Sequence, residues 1–158
     1  MGYFIDILEA SDDQNASVDK FVRGIAPLYQ RSWAQIKSKY YPGRAFDLNI
    51  VAIADMWIKG QLKVFVAVDS DTKELIGFLA GVVYRPLYFD ARLFHVQDWY
   101  ANNDPKMEHD LFDYMIKSIR ILGCNELWIQ EEADLLSVNM ESWENNGQYV
   151  MKRFTRKG

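Results

Sequence analysis

Hydrophobic and polar positions in the first third of the chain follow first the period of a strand and then that of a helix. Residues Tyr3 to Leu8 are rich in strand-forming side chains and predict a first strand. Apolar side chains then recur at helical spacing up to Leu28, which predicts a helix that ends near Gln30, with Pro27 close to its end.

A second helix is predicted from Phe46 to Gly60. Its apolar residues fall largely on one side, and Gly60 stands where a glycine commonly follows a helix. Between the two helices, residues 33–39 predict a further turn or two of helix, and the run Tyr-Tyr-Pro-Gly at 40–43 predicts a loop. Two helices therefore separate the first strand from the rest of the sheet.

The middle of the chain alternates in the manner of strands. Leu62 to Val68 and Glu74 to Tyr84 predict a hairpin around the polar turn 69–73, and Arg92 to Ala101 predicts a third strand. A helix with one apolar face is then predicted from Asp104-Pro105 through Ile121, followed by Gly123.

The last third predicts a short buried strand over Glu126 to Gln130, a weak helix over Leu135 to Glu144 and a final strand over Gln148 to Thr155. The predicted order is therefore β-α-α-β-β-β-α-β-α-β. A meander followed by a strand-helix-strand crossover indicates an α/β protein, with a central mixed sheet flanked by helices on both faces.

The composition and charge of the chain limit the class of protein to which it can belong. The 158 residues carry a net charge of −4, one cysteine and two histidines, and they suit one domain over residues 1–158. Cys124 alone forms neither an internal disulfide nor a cysteine-rich metal site, so we expect no metal and a cytosolic location, or the interior of a particle assembled there. The acidic balance argues against nucleic acid as a partner, and no apolar run reaches the roughly 20 residues that span a bilayer.

Two segments carry a family resemblance in addition to the order of elements. Residues 64–81 place a strand, a polar turn and a second strand with glycines in sequence, and Ser142 to Gln148 reads Ser-Trp-Glu-Asn-Asn-Gly-Gln before the last strand. The chain resembles the GNAT superfamily of acyl-CoA-dependent N-acetyltransferases over nearly its whole length. This resemblance implies a GNAT-like fold and, for an active enzyme, acetyl-CoA as the cofactor.

The segment that should bind the cofactor departs from that family. Its members hold the pyrophosphate of acetyl-CoA on a glycine-containing loop before a helix, where backbone N–H groups and the helix N-terminus attract phosphate. Here residues 96–110 contain no glycine, Pro105 removes one N–H, and Lys106 and His109 are outnumbered by acids. The carboxylates in this interval are Asp98, Asp104, Glu108 and Asp110. We therefore expect the chain to need no cofactor.

The tyrosine that donates a proton in the family is also replaced at the aligned position. Its usual tyrosine aligns with Trp143, whose indole N–H does not deliver a proton at neutral pH, although Tyr149 lies a few residues further on. For an active enzyme the resemblance implies Asp98 or Glu131 as the base and Tyr149 as the acid. The competing interpretation, which we prefer, is that these two carboxylates are ordinary charges at strand ends.

If the cofactor binds, the resemblance places it along residues 97–100 on the third strand, where Gln97, Trp99 and Tyr100 would line the pantetheine, with Lys106 beside them. His95, on the same strand, is interpreted as a structural residue.

The segment from Tyr84 to Phe89 joins two strands and is longer than a tight hairpin requires. It supplies three aromatic side chains and an arginine, a composition typical of protein-binding patches. We predict a partner surface at Tyr84, Arg85, Tyr88 and Phe89. The alternative, given equal weight, is a loop folded back onto its own core.

Three functions remain open. The first is a GNAT-fold protein whose acyl-CoA site has decayed and that serves as a protein-binding or structural module, a possible homo-oligomer; phage-encoded proteins include such degenerate members, so a virion-associated role is expected. The second is an active N-acetyltransferase. The third is a sensor that binds another small ligand in the former cofactor cleft.

Overall fold

The structure, a computed structural model, describes residues 2–35, 37–88, 90–130, 143–145 and 151–157. Its helices are α1 (Gln14–Gln35), α2 (Ile50–Ile58) and α3 (Pro105–Ile121), with a 3₁₀ turn at Lys37–Tyr40. Its strands are β1 (Tyr3–Ile7), β2 (Leu62–Asp69), β3 (Leu75–Tyr84), β4 (Leu93–Tyr100), β5 (Glu126–Gln130), β6 (Trp143–Asn145) and β7 (Met151–Arg156).

The strands form one mixed sheet in the order β1-β2-β3-β4-β5-β7-β6. β4 and β5 run parallel, joined by a crossover through α3, whereas the other neighbouring pairs in the described part of the sheet are antiparallel. The predicted α/β class and the succession from the first strand to the strand after α3 are confirmed. This topology leaves one parallel pair near the middle of the sheet.

Helix α1 runs through Pro27 and ends only at Gln35, so the prediction that it ends near Gln30 was wrong. Proline lacks an N–H and leaves one backbone hydrogen bond unmade. The buried face nevertheless continues beyond it through Leu28, Tyr29 and Ser32, and the Tyr29 ring contacts the Phe78 ring of β3 at a centroid distance of 4.6 Å. Packing on the sheet outweighs the missing bond.

Helix α2 is shorter than predicted, because it begins at Ile50 and not at Phe46. The Asn49 side chain accepts a hydrogen bond from the Ala52 N–H at 3.3 Å and caps the helix there. Before it, the Arg44 N–H donates to the Tyr41 carbonyl at 3.1 Å across a turn. Residues 41–49 therefore form a non-helical segment that lies against α1.

Two apolar cores cover the two faces of the sheet. The first packs α3 on one face, and the second packs α1 and α2 on the other. The predicted apolar face of α3 is buried at Leu111, Phe112, Met115, Ile116 and Ile119. None of the helices in the described residues is both long enough and apolar enough to span a bilayer.

The last two residues of the helix predicted over Leu135 to Glu144 belong to a strand instead. Residues 135–142 lie outside the described residues, but Trp143 begins β6, which pairs antiparallel with β7 from Trp143 opposite Arg156. The Trp143 side chain is buried in the core on the α3 face, and this burial favours the extended pairing. The last predicted strand falls on β7, with residues 148–150 outside the described range.

Candidate functional site

The parallel strands β4 and β5 pair only at their beginnings. The partners are Leu93 with Glu126, Phe94 with Leu127 and His95 with Trp128. Beyond His95, β4 continues to Tyr100 and remains paired with β3 on its other side. The divergence of the two strands thus produces a cleft at the carboxyl ends of a parallel pair, where ligands bind in open α/β sheets.

A β-bulge lies where the two strands diverge. Gly81 of β3 is opposite Val96 and Ala80 is opposite Asp98, so Gln97 is the extra residue of β4. In a regular strand, His95 and Asp98 would point to opposite faces because they are three residues apart. The bulge restores them to the same face, and both line one cavity.

Asp98 is a buried carboxylate and not a charge at an exposed strand end, so our preferred interpretation of it was wrong. It is 8% exposed, and its Oδ1 accepts a hydrogen bond from Ser32 Oγ at 2.6 Å and one from the Trp99 N–H at 2.8 Å. Burial raises the pKa of the Asp98 carboxyl above its usual value. The Ser32 hydrogen bond and the charge of Lys37 oppose that rise.

The cavity has a volume of about 610 Å³ and lies between β4, α1 and the segment 41–49. Its aromatic wall is built around Trp33, whose ring stacks on Tyr41 at 5.8 Å and contacts Phe46 at 6.0 Å. Half-buried His95 also lines the cavity, where burial and the charge of Lys37 lower its pKa and so favour the neutral imidazole. The result is an aromatic pocket with a few polar groups.

The N-terminus of α3 is closed by its own capping residue. Asp104 Oδ1 accepts hydrogen bonds from the Lys106 N–H at 3.0 Å and the Met107 N–H at 3.3 Å. The Glu108 N–H donates to the Asp104 carbonyl at 3.0 Å, and Pro105 has no N–H. The backbone donors with which a helix N-terminus would bind an anion are therefore already used or missing.

A four-residue turn replaces the glycine-containing loop that the family resemblance implies. Asn102 and Asn103 have φ angles of 51° and 54°, and the Asp104 N–H donates to the Ala101 carbonyl at 2.9 Å. Positive φ at both central positions is typical of a type I′ turn, and asparagine tolerates this conformation. The Tyr100 hydroxyl holds the turn by donating to Asn102 Oδ1 at 2.9 Å, with Tyr100 itself buried in the core.

We expect Asp104→Ala to lower the free energy of unfolding by about 1 kcal/mol, because it removes a helix N-cap. Asp104→Asn keeps an oxygen acceptor at the same position and should cost a few tenths of that value. Urea denaturation of the two variants beside the wild type measures the difference. Equal stability of Asp104→Ala and the wild type would show that the cap contributes nothing.

Lys106 is the single lysine of residues 96–110, and its side chain turns away from the α3 N-terminus. Lys106 Nζ forms an ion pair with Asp110 at 3.0 Å and a hydrogen bond with the Tyr3 hydroxyl at 3.3 Å. The Tyr3 hydroxyl itself donates to Asp110 at 2.6 Å. Hydrogen bonding to Asp110 raises the pKa of Lys106. These contacts connect α3 to β1 and compete with any phosphate for the charge of Lys106.

The other residues that the family resemblance implies for cofactor binding do not lie on one face of the sheet. Trp99 is buried on the α3 face against Phe112, Tyr100 is buried on the opposite face, and Gln97 is exposed at the bulge. Met107, from the first turn of α3, is buried in the same core as Trp99. The α3 side of the cleft is therefore packed with side chains, and Glu131 and Tyr149 lie outside the described residues.

The loop between β3 and β4 projects into solvent. Leu87 and Tyr88 are each 96% exposed, and Tyr84 is 37% exposed. Arg85 lies beside them in an ion pair with Asp90 at 3.2 Å. These exposures exclude the alternative in which Leu87 and Tyr88 fold back onto the core; Phe89 lies outside the described residues. Leu87 is as exposed as Tyr88, although the sequence prediction of a partner surface did not include it.

The described residues contain no group of three or more histidine, cysteine, aspartate or glutamate side chains arranged to hold a metal ion. The single cysteine, Cys124, is buried, and burial raises the pKa of its thiol. A buried thiol with a raised pKa is a weak nucleophile and a weak metal ligand. Among the described residues that line the cavity, the charged groups are Asp98, Lys37 and the exposed Asp47, which lie with His95 beside the aromatic wall.

This architecture is the fold of the GNAT-family N-acetyltransferases. A GNAT family N-acetyltransferase, YhbS from Escherichia coli, solved in complex with CoA, superposes with a TM-score of 0.63 at 16% sequence identity, covering 99% of this chain and 82% of that one. The aminoglycoside acetyltransferase meta-AAC0020, from an uncultured soil metagenomic sample and solved in complex with sisomicin, gives 0.61 at 15% identity, covering 93% of each chain.

A third similar structure is the ribosomal-protein-alanine N-acetyltransferase of Brucella melitensis, with a TM-score of 0.57 at 12% identity, covering 78% of this chain and 76% of that one. No family model and no curated protein matches the sequence. At identities this low the likeness establishes the fold, which agrees with the fold that the sequence resemblance implied.

Proposed function

We propose that this protein keeps the GNAT fold as a protein-binding or structural module and does not use acyl-CoA as a substrate. The closed N-terminus of α3 carries this proposal. A bound pyrophosphate would have to displace the Asp104 carboxylate from the Lys106 and Met107 N–H groups and would be repelled by it at close range. The residues present therefore do not fit the pyrophosphate of acetyl-CoA.

The exposed β3–β4 loop is the proposed partner surface. This surface combines aromatic, aliphatic and guanidinium groups, at Tyr84, Arg85, Leu87 and Tyr88. Tyrosine and arginine supply much of the binding energy in protein interfaces. Phe89 is included from the sequence. The partner is a protein, and the module acts in the cytoplasm or within a phage particle assembled there.

Leu87→Ser/Tyr88→Ser tests the partner surface. A tagged wild-type chain should retain a partner from extract of the source cells, and the double variant should lose it without a change in melting temperature. Val51→Ser is the matched control, because Val51 is 77% exposed in the first turn of α2 and lies outside the β3–β4 loop. Equal retention by the double variant would contradict the assignment of this surface.

Amine acetylation is the second candidate function, and the position of Asp98 favours it. A carboxylate that is buried beside the divergence of β4 and β5 and lines a cavity can accept a proton from an ammonium group. Thiol release from acetyl-CoA, measured with a panel of primary amines, distinguishes the two functions. Turnover by the wild type that is lost in Asp98→Asn would establish the enzyme; absence of turnover supports the module.

A further inference from the structure

A cation and a carboxylate face the same cavity without touching. Lys37 and Asp98 both line it, and the charge of Lys37 acts on both Asp98 and His95. Within the described residues, however, no ion pair of 4.0 Å or less includes Lys37 or Asp98. The Lys37 ammonium lies 5.4 Å from the centroid of the Trp99 ring instead. Among the described residues, Lys37 and Asp98 thus line the same cavity without forming an ion pair, and the other carboxylate of the lining, Asp47, is exposed.

The carboxylate keeps one oxygen available. Both protein hydrogen bonds to Asp98 in the described structure end on Oδ1, from Ser32 and from the Trp99 backbone. The second oxygen, Oδ2, accepts no hydrogen bond in the described structure and is not fully enclosed, and Asp98 lines the cavity. This oxygen can therefore accept hydrogen bonds from a molecule inside the cavity. An ammonium group there would offset the desolvation that raises the pKa of Asp98.

Apolar side chains share the lining of the cavity with the two charges. Trp33 and Phe46 form an aromatic wall, and Ile53, Met56 and Leu62 line the same space. A volume of about 610 Å³ is in the range of small-molecule sites, in which apolar walls surround a few polar groups. The cavity therefore suits a small ligand with an apolar body and two opposite charges.

We propose that this cavity binds a small zwitterion, a free amino acid with an apolar side chain, through an ammonium–Asp98 and a carboxylate–Lys37 contact. A simple amine would leave Lys37 unpaired and be repelled by it, and a simple carboxylate would face Asp98. A zwitterion satisfies both charges with charge-assisted hydrogen bonds. This proposal goes beyond the module function and does not depend on whether acyl-CoA binds.

Calorimetric titration of the wild-type protein with two amino acids and two analogues tests the charge pattern. The ligands are L-leucine, L-phenylalanine, L-phenylalaninamide, which lacks the carboxylate, and N-acetyl-L-phenylalanine, which lacks the ammonium. We expect at least one amino acid to bind, and each phenylalanine analogue to bind about tenfold or more weakly than its parent, since a charged hydrogen bond is lost. Analogues that bind as tightly as phenylalanine would overturn the proposal, as would no binding of either amino acid at tens of millimolar.

Two variants assign each charge. Lys37→Met should bind the amide as tightly as the free amino acid, and Asp98→Asn should bind the N-acetyl form as tightly. Lys39→Met is the matched control, because Lys39 is exposed in the same 3₁₀ turn and does not line the cavity; it should keep the full preference. Unchanged preferences in both cavity variants would contradict the proposal. If a variant fails to melt cooperatively, the analogue series on the wild type still decides.

Discussion

Gly81→Ala is expected to destabilise the protein by about 3 kcal/mol. A Cβ atom on Gly81 would overlap the ring of Phe94 and lie 2.9 Å from the His95 carbonyl oxygen. The ring has little room to move, because Phe94 is fully buried and contacts the Phe65 ring at a centroid distance of 6.1 Å. Strand β4 would have to shift away from β3 beside the bulge at Gln97, which positions Asp98 in the cavity.

Urea denaturation measures this effect, and Gly2→Ala is the matched control. A Cβ atom on Gly2 would have Ser70 Oγ as its nearest neighbour at 3.8 Å, so the control should unfold at the wild-type midpoint. A Gly81→Ala variant with the wild-type midpoint would show that the contact between β3 and β4 is looser than the structure indicates.

Ser32→Ala is expected to cost about 2 kcal/mol at pH 7, because the buried Asp98 carboxylate loses its 2.6 Å hydrogen bond. This hydrogen bond lowers the pKa of folded Asp98, so its contribution to stability is present above that pKa and is lost as the pH falls through it. Burial holds the folded pKa above the usual value, so the loss begins at a higher pH than for an exposed aspartate.

Unfolding free energies at pH 7 and in steps down to about pH 4 test this prediction. The difference between Ser32→Ala and the wild type should shrink as the pH falls. Ser118→Ala is the control, since the Ser118 hydroxyl donates to the Tyr114 carbonyl within α3 and has no carboxylate partner in the described structure. A cost for Ser32→Ala that is the same at every pH would contradict the role of Asp98 as its acceptor.

Strands β1 to β5 and α3 are predictable from sequence because each carries its own local signal. Strand β5 begins at Glu126 and ends at Gln130, the two polar residues that flank its apolar run. Helix α3 begins at Pro105 after the Asp104 cap, and this pattern can be recognised from the sequence of a single helical turn. The positive φ of Gly60 and Gly123 likewise follows from glycine at helix ends.

The candidate site is predictable only in part, because it depends on contacts between distant residues. The bulge at Gln97 has no local sequence signal, and a regular strand without it would place Asp98 on the face opposite His95. Ser32 reaches Asp98 across 66 positions of sequence. Pro27 and Asn49 likewise shift helix ends, since packing overrides the proline in α1 and a side-chain cap delays α2.

Calorimetric titration with CoA and acetyl-CoA is the most direct test of the claim that the closed N-terminus of α3 does not bind a pyrophosphate. The account predicts no binding heat for either compound at millimolar concentration, because Asp104 occupies the backbone donors that the pyrophosphate needs. Pantetheine, which lacks the pyrophosphate, is the control ligand and should behave the same as CoA. Micromolar binding of CoA with much weaker binding of pantetheine would show that the pyrophosphate is held, and would contradict the account.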